Sequence, residues 1–289
     1  MLFVLFACTA TKLAPEALEE GSAVQHAKEA VKEVSKIPFF EVKGRQGVAA
    51  MGDKYYVSGS TALYVYDKEG QLLLSNEDPF KQYKIPSNHI GDIEAYNGEL
   101  YIAAEWFSDG VGKDIQIAIH DTTTLEWKRS FPFQADSGQL EVSGITVDPE
   151  RNLVWMCSWV GDESGRHLYS YDLNTGEYKG KLRLSQEIKW IQGVEYYNDH
   201  FYISADDGDA EKGEADNIYR VTLAGEVSLY RNLKELNDVG EAEGLSVDVE
   251  EGVLLVHANR GKRIVKGMSR GFYEGYDREI REVYKFPMP

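Results

Sequence analysis

The sequence predicts an all-β protein, a β-propeller of five four-stranded blades that follows an N-terminal helical stalk. Two observations lead to this fold class. A short segment repeats five times, with its second residue at positions 47, 92, 144, 193 and 244, so the repeat length is 45 to 52 residues. The chain of 289 residues also contains 18 Tyr and 27 Gly, a composition that favours strands and turns over helices.

Each repeat begins a blade. The repeats are the segments 46–50, 91–95, 143–147, 192–196 and 243–247, and each is followed by a turn and a second strand. Further strands recur after three of these pairs, at 63–67, 168–172 and 218–221. Four strands in roughly 40 to 50 residues form one propeller blade. A single blade exposes two apolar faces and only a closed ring buries them all, so five repeats predict five blades.

The chain divides into three parts. Residues 37–289 form the propeller, in which the extended stretch 39–43 can join the last blade as its closing strand. Residues 12–36 form a helical stalk or linker, and residues 1–11 form an export signal of the lipoprotein type. The stalk is indicated by four apolar residues whose 3-4-3 spacing places them on one side of a helix, namely Val24, Ala27, Val31 and Val34.

The first residues resemble the end of a bacterial lipoprotein signal. Residues 2–7 are apolar, and the small residue Ala7 precedes Cys8, the position at which such proteins are lipidated after cleavage. The basic segment that opens a signal peptide is missing, so another export signal and a cytosolic protein are the alternatives. We expect an extracytoplasmic protein that contacts a membrane only through a lipid on Cys8.

The acidic balance limits the classes of partner. The formal net charge is −17, from 31 basic and 48 acidic residues. A surface that tracks phosphates needs a basic patch, so we expect no nucleic-acid binding by the propeller. A negative field suits metal cations, cationic ligands or simple solubility. We expect a monomer.

The mouth of the central channel is the predicted binding face. In a propeller, the loops before the first strands and after the second strands lie together around this mouth. Residues at these positions differ from blade to blade, which is typical of a binding surface, although solvated loop ends are the alternative. We predict that a small molecule, a glycan or a peptide binds there through six residues: Glu105, Trp106, Glu141, Trp159, Trp190 and Gln192. Tryptophan beside carboxylates suits a sugar or a cationic ligand.

Deeper positions supply the catalytic candidates. The fourth residue of each repeat is expected to point its side chain into the channel. Glu94 and Glu195 occupy this position in two of the blades. Two glutamates in a narrow channel repel each other, so they need a cation, ordered water or one retained proton, unless each pairs locally. His89 is the third candidate, as an acid–base partner of Asp92 or Glu141.

The repeat resembles the broad group of NHL-like and gluconolactonase-like propellers. The resemblance rests on the segments 243–248, Glu-Gly-Leu-Ser-Val-Asp, and 144–149, Gly-Ile-Thr-Val-Asp-Pro. Lactonases of this group have six blades and hold a divalent metal at the channel mouth. The resemblance therefore implies a Ca²⁺ or Mg²⁺ site at Asp206, Glu243 and Asn259. Five-bladed glutaminyl cyclases also have Gln-Gly or Glu-Gly before a hydrophobic residue, as at 192–194 and 243–245.

Three functions follow from these patterns. The first is a propeller that binds a ligand or partner at its acidic, tryptophan-bearing mouth. The second is a divalent-metal-dependent hydrolase that acts on lactones or esters. The third is a glutaminyl-cyclase-like enzyme that uses a channel carboxylate. Binding ranks first because no catalytic motif is complete: the sequence has no Gly-x-Ser-x-Gly, His-Glu-x-x-His or Cys-x-x-Cys pattern.

Overall fold

A computed structural model of the chain describes residues 37–288, apart from 109–110, 133, 162, 237 and 266–267. These residues contain strands, turns and three short 3-10 helices, and no α-helix, so the prediction of an all-β fold is confirmed. Within the same residues no helix is long and apolar enough to cross a bilayer. The predicted export signal (1–11) and stalk (12–36) lie outside the described residues.

The strands form five four-stranded sheets and one hairpin. A short strand, β1 (Phe39–Glu41), precedes the first blade. Blade 1 contains β2 (Val48–Met51), β3 (Lys54–Gly59), β4 (Ala62–Asp67) and β5 (Leu72–Asn76). Blade 2 contains β6 (His89–Tyr96), β7 (Glu99–Ser108), β8 (Val111–Asp121) and β9 (Trp127–Pro132). Blade 3 contains β10 (Gly144–Asp148), β11 (Leu153–Cys157), β12 (His167–Asp172) and β13 (Tyr178–Arg183).

The last two blades complete the ring. Blade 4 contains β14 (Ile191–Tyr197), β15 (His200–Ala205), β16 (Asn217–Thr222) and β17 (Val227–Asn232). Blade 5 begins with β18 (Val239–Asp248) and β19 (Val253–Arg260). The hairpin β20 (Lys262–Val265) and β21 (Met268–Phe272) then follows, before β22 (Ile280–Pro287). The strand order of this blade is β18-β19-β22-β1.

Strand β1 closes the ring, as predicted from residues 39–43. It pairs antiparallel with β22, with Phe40 opposite Val283. The ring of Phe40 also lies over Tyr55 of blade 1, with centroids 5.7 Å apart and planes inclined by 14°. The first strand of the described residues therefore joins the last blade and packs against the first blade.

The hairpin in blade 5 was not predicted. Residues 261–279 separate the second strand of this blade from its third, so the residues after Gly244 hold three blade strands and the hairpin rather than four blade strands. The fourth strand comes from β1 instead. This exchange is what allows the last blade to hold an insertion and still be complete.

The hydrophobic core lies between the blades. Each of the five buried apolar clusters in the described chain draws side chains from two adjacent blades. The cluster between blades 5 and 1 contains Leu255 and Val283 from one and Tyr55 and Val57 from the other. Since every blade presents two apolar faces, five shared clusters leave none of these faces uncovered. The ring positions all the first strands around one axis.

Candidate functional site

The centre of the channel is filled by Asp92. The four other blades have a glycine at this position of the repeat, Gly47, Gly144, Gly193 or Gly244. A β-carbon added to Gly47 or Gly244 would overlap Oδ1 of Asp92, and one added to Gly193 would lie 2.7 Å from its Oδ2. Three glycines thus provide the space that a single carboxyl group occupies. Asp92 is 1% exposed, so it separates the mouth from the deeper channel.

The carboxyl group of Asp92 is satisfied on one side only. Oδ1 accepts hydrogen bonds from the backbone N–H groups of Ile93, at 2.9 Å, and Val48, at 3.3 Å. Oδ2 has no hydrogen-bond partner in the described structure. Burial raises the pKa of Asp92 well above its ordinary value, more than these backbone donors lower it. The group therefore favours its neutral form.

Below Asp92, two of the predicted catalytic residues meet across the channel. Thr146 Oγ1 lies 3.2 Å from Glu94 Oε2 and 3.3 Å from Glu195 Oε2. Side chains of blades 2, 3 and 4 therefore meet at this register, and the catalytic role of the two glutamates stays a prediction. Burial raises the pKa of both carboxyl groups, and in Glu195 the negative charge of Glu94 adds to the effect. The closeness of the two buried carboxyl groups favours retention of a proton by the pair.

Above Asp92, side chains from all five blades enclose a pocket of about 180 Å³ at the channel mouth. The pocket is open to solvent on the face that the sequence predicted. Three glutamates, two aromatic rings, a histidine and three small or amide side chains line it, namely Glu141, Glu241, Glu243, Phe107, Trp159, His89, Gln46, Ser143 and Gln192.

The pocket brings together much of the predicted ligand-binding set. Glu141, Trp159 and Gln192 line it directly. Trp190 lies against Trp159, with ring centroids 4.7 Å apart. Trp190 has a left-handed backbone, with φ of +57°, which is uncommon for a bulky residue and indicates that its position is constrained by its surroundings.

Two members of the predicted set lie elsewhere. Trp106 is 43% exposed and does not line the pocket. Side chains alternate along β7, so the next residue, Phe107, turns inward instead and lies 5.4 Å from the His89 ring. Glu105 is fully buried behind the wall of the pocket. Of the two neighbouring aromatic residues on β7, the pocket therefore contains Phe107 and not the predicted Trp106.

His89 has a different partner from the one expected. Its Nδ1 lies 3.3 Å from Glu105 Oε1, whereas Asp92 and Glu141 were the predicted partners. Burial and the charge of Arg45 lower the pKa of His89 to about 4. Burial raises the pKa of Glu105 to about 8, although the N–H of Val142 donates to it. At neutral pH the imidazole is therefore neutral and the carboxyl group is close to its titration point.

Glu141 presents a carboxyl group to the pocket although its side chain is only 2% exposed. Its hydrogen bonds come from backbone N–H groups, with Trp159 N at 2.6 Å from Oε2 and Val160 N as the second donor. Burial, followed by the charge of Glu105, raises the pKa of Glu141 well above its ordinary value. The bond to Trp159 also fixes the backbone that carries the tryptophan ring.

The sequence did not identify Arg45 as part of this site. Its guanidinium lies 2.6 Å from Glu241, 3.1 Å from Glu279 and 3.7 Å from Glu243. Gln192 Nε2 donates to the second oxygen of Glu241 at 3.3 Å. Burial and the charge of Glu241 raise the pKa of Glu243, and Arg45 partly offsets them. A basic residue immediately before the first repeat, in a mouth rich in carboxylates, was the signal that could have revealed Arg45.

The predicted metal ligands are close together but are engaged with protein groups. Asn259 Nδ2 donates to Glu243 Oε1 at 2.6 Å. Asp206 lies near enough for its charge to raise the pKa of Glu243. Among the residues that the structure describes, no three His, Cys, Asp or Glu side chains are arranged to hold a metal ion. The predicted site includes the amide of Asn259 as its third ligand, and the site at Asp206, Glu243 and Asn259 stays a prediction.

Sequence comparisons do not place the chain in a family. No protein-family profile matches it, and no curated protein sequence matches it significantly.

Similar folds are found among solved structures. A structural genomics protein of unknown function from Bacteroides thetaiotaomicron VPI-5482 has a TM-score of 0.52 and 11% identity, over 85% of this chain and 70% of that one. Hydrazine synthase of Kuenenia stuttgartiensis has a TM-score of 0.45 and 10% identity, over 88% of this chain and 64% of that one. A chain of a nidogen–laminin complex has a TM-score of 0.45 and 13% identity, over 70% of this chain and 67% of that one.

These identities support a statement about fold alone. This chain spans about two thirds of the length of the solved structures described above. Membership of the NHL-like or gluconolactonase-like group stays a prediction. The chain is a five-bladed β-propeller.

Proposed function

We propose that this propeller is a binding protein that takes a small organic ligand, or one group of a glycan or peptide, into the pocket at its channel mouth. The observation that carries the proposal is that all five blades contribute side chains to this one pocket. Residues that merely build a blade have no reason to combine carboxylates, amides and aromatic rings at equivalent positions. Concave sites with a few convergent polar groups are the usual form of a ligand site.

The interior of the pocket supports binding of a small group. Its wall is fixed by hydrogen bonds between blades, such as that from Gln192 to Glu241. Its volume of about 180 Å³ is below the ~300 Å³ at which pockets for drug-sized ligands begin. The ligand is therefore a small molecule or the end of a larger one.

This proposal can be tested by a ligand screen followed by separate substitution of Trp159 and Trp106. The full chain is screened against small amines, sugars and short peptides by thermal shift and tryptophan fluorescence. Trp159→Ala should weaken the binding of a compound found in this way by about 3- to 30-fold, through loss of ring contacts. Trp106→Ala makes the same change outside the pocket and should leave the affinity unaltered. Equal effects of the two substitutions, or no binding by any compound, would contradict the proposal.

A second candidate is an acid–base enzyme of the glutaminyl-cyclase type. It is favoured by His89 and Glu105, because a carboxyl group with a pKa of about 8 beside a neutral imidazole is suited to proton transfer near neutral pH. Incubation with peptides that begin with Gln, followed by mass spectrometry, tests it. Loss of ammonia that disappears in His89→Gln is the expected result for the enzyme, and unchanged peptide mass would eliminate it.

We also propose that the protein works outside the cytoplasm, attached through a lipid on Cys8. The support is the apolar run 2–7 with Ala7 before Cys8. Expression of the full chain in bacteria with labelled palmitate should give a labelled protein, and Cys8→Ser should remove the label. Labelling that persists in Cys8→Ser would refute the proposed attachment site.

A further inference from the structure

The charged side chains that line the mouth pocket are acidic. Three of its side chains are the carboxyl groups of Glu141, Glu241 and Glu243, and no lysine or arginine in the described chain lines it. The guanidinium of Arg45 lies behind this wall and is shared among Glu241, Glu243 and Glu279. One fixed positive charge thus faces more than one carboxyl group. An anionic ligand would meet repulsion, whereas a cation would meet attraction.

Of the three glutamates in the pocket, Glu141 has the least positive charge near it to balance its own negative charge. It is almost fully buried, and its hydrogen bonds come from the backbone N–H groups of Trp159 and Val160. No lysine or arginine among the residues that the structure describes forms an ion pair with it. A buried carboxylate without a charged partner is strongly unfavourable. Burial raises the pKa of Glu141 well above the ordinary value, which favours the protonated form when no positive charge is near. A cation in the pocket would supply the missing partner directly.

Aromatic rings complete the wall. Phe107 of blade 2 and Trp159 of blade 3 both line the pocket, and Trp190 lies against Trp159 from behind. The face of an aromatic ring attracts a cation, and the attraction is larger when the cation is removed from water. The rings also bury an apolar body. Carboxyl groups and rings in one cavity are therefore complementary to a charged nitrogen that carries carbon substituents.

We infer that the ligand of this pocket carries a small organic ammonium group, held by Glu141 and the Glu241–Glu243 pair, with its carbon substituents against Phe107 and Trp159. This inference rests on the proposed binding function. It restricts the expected ligands from any small molecule to those that carry a positive charge. Neutral sugars and carboxylates are the classes that it excludes.

Matched probes separate the charge of the ligand from its shape. Choline is compared with its neutral carbon isostere 3,3-dimethylbutan-1-ol, and benzylamine is compared with benzyl alcohol and benzoate. Affinities for the full chain are measured by tryptophan fluorescence and calorimetry at one ionic strength. We expect at least one ammonium probe to bind ten or more times as tightly as its neutral isostere, and benzoate not to bind. The charged nitrogen of choline has no N–H group, whereas that of benzylamine does. Comparison of the two therefore distinguishes recognition by the aromatic rings from recognition by hydrogen bonds to the carboxyl groups.

Substitutions then assign the effect to the pocket. Glu141→Gln keeps an acceptor for the N–H of Trp159 and removes the charge, so it should reduce the preference for the ammonium probe by several-fold. Glu226→Gln makes the same change in an exposed turn between the third and fourth strands of blade 4 and should have no effect. The comparison of probes on the unmodified chain stands even if Glu141→Gln fails to fold.

The outcomes separate the two proposals. An alcohol or benzoate that binds as tightly as the amines overturns the inference and leaves the proposed binding function intact. A preference for ammonium that is equal in Glu141→Gln and in the unmodified chain also overturns it. If no probe of any charge binds and the wider screen finds no ligand, the binding function fails as well.

Discussion

The Asp92 carboxyl group occupies the space that Gly244 leaves by having no side chain. A β-carbon at residue 244 would overlap both Oδ1 and Cγ of Asp92. The two residues stand at equivalent positions of the repeat in blades 2 and 5. The repeat is therefore asymmetric for a packing reason, because a narrow axis can hold one carboxyl group but not five side chains.

This relationship predicts a coupling between the two positions. Gly244→Ala should lower the free energy of unfolding by about 1–3 kcal/mol, the usual cost of overpacking. Asp92→Gly should also be destabilising, because it empties the axis. The double variant should be more stable than the sum of the two effects predicts, by about 1 kcal/mol or more. Urea unfolding measures all three, and Gly161→Ala, where an added β-carbon meets no atom within 4 Å, is the control.

Asp92 should also make stability depend on pH. Its pKa is raised in the folded protein, so the unfolded chain loses this proton first as pH rises. The contribution of Asp92 to stability is therefore greatest below pH ~4 and declines above it, by up to about 1.4 kcal/mol per pH unit until the pKa of the folded state is reached. Asp92→Asn cannot ionise, so its stability relative to the unmodified chain should be higher at pH 8 than at pH 5. A constant difference between these two pH values would show that Asp92 does not titrate differently on folding.

The interaction between His89 and Glu105 should determine how the NMR signals of the His89 ring change with pH. With a pKa of about 4, the ring should remain neutral at pH 6, where an ordinary histidine is largely protonated. Because the unfolded chain binds this proton more readily, His89 should cost stability as the pH falls below ~6.5. The ring signals should respond instead near pH 8, where Glu105 titrates. Glu105→Gln should remove that response, and a ring that titrates near pH 6.5 would contradict the prediction.

Closure of the ring by β1 can be tested with two adjacent phenylalanines. Phe40 is half-buried and stacks on Tyr55, whereas Phe39 is 49% exposed. Phe40→Ala should lower the free energy of unfolding by about 2 kcal/mol, less than for a fully buried ring. Phe39→Ala should cost much less, since its ring lies beside Tyr284 but remains largely in water. Equal losses in thermal or urea unfolding would show that β1 is not anchored through Phe40.

The architecture could be predicted from the sequence because the repeat is a property of local pattern. Residues 46–50 and their four equivalents are each a buried first strand, and the spacing between them fixes the number of blades. The closing strand was also predicted, from the extended stretch 39–43 that precedes the first repeat. The hairpin at 262–272 was not, because its strands pair only with each other and have no equivalent in the other blades.

The site could be predicted as a face but not as a set of contacts. Strand direction places Glu141, Trp159 and Gln192 at the mouth, and the structure brings them together. Whether Trp106 or Phe107 turns inward depends on the register of a single strand, which composition does not determine. The pairing of His89 with Glu105 depends on side-chain rotamers across β6 and β7, and the packing of Asp92 depends on glycines from three other blades.

The packing of Asp92 also prevents a small molecule from passing along the central channel. With the axis filled at this level, a molecule that arrives at the mouth cannot leave at the opposite side of the ring. A ligand of the proposed pocket would therefore enter and depart through the same opening, and an occupant would delay the arrival of the next molecule until it had diffused back out. Exchange would thus be strictly one at a time, with a dwell time set by the escape of the occupant and not by displacement from behind.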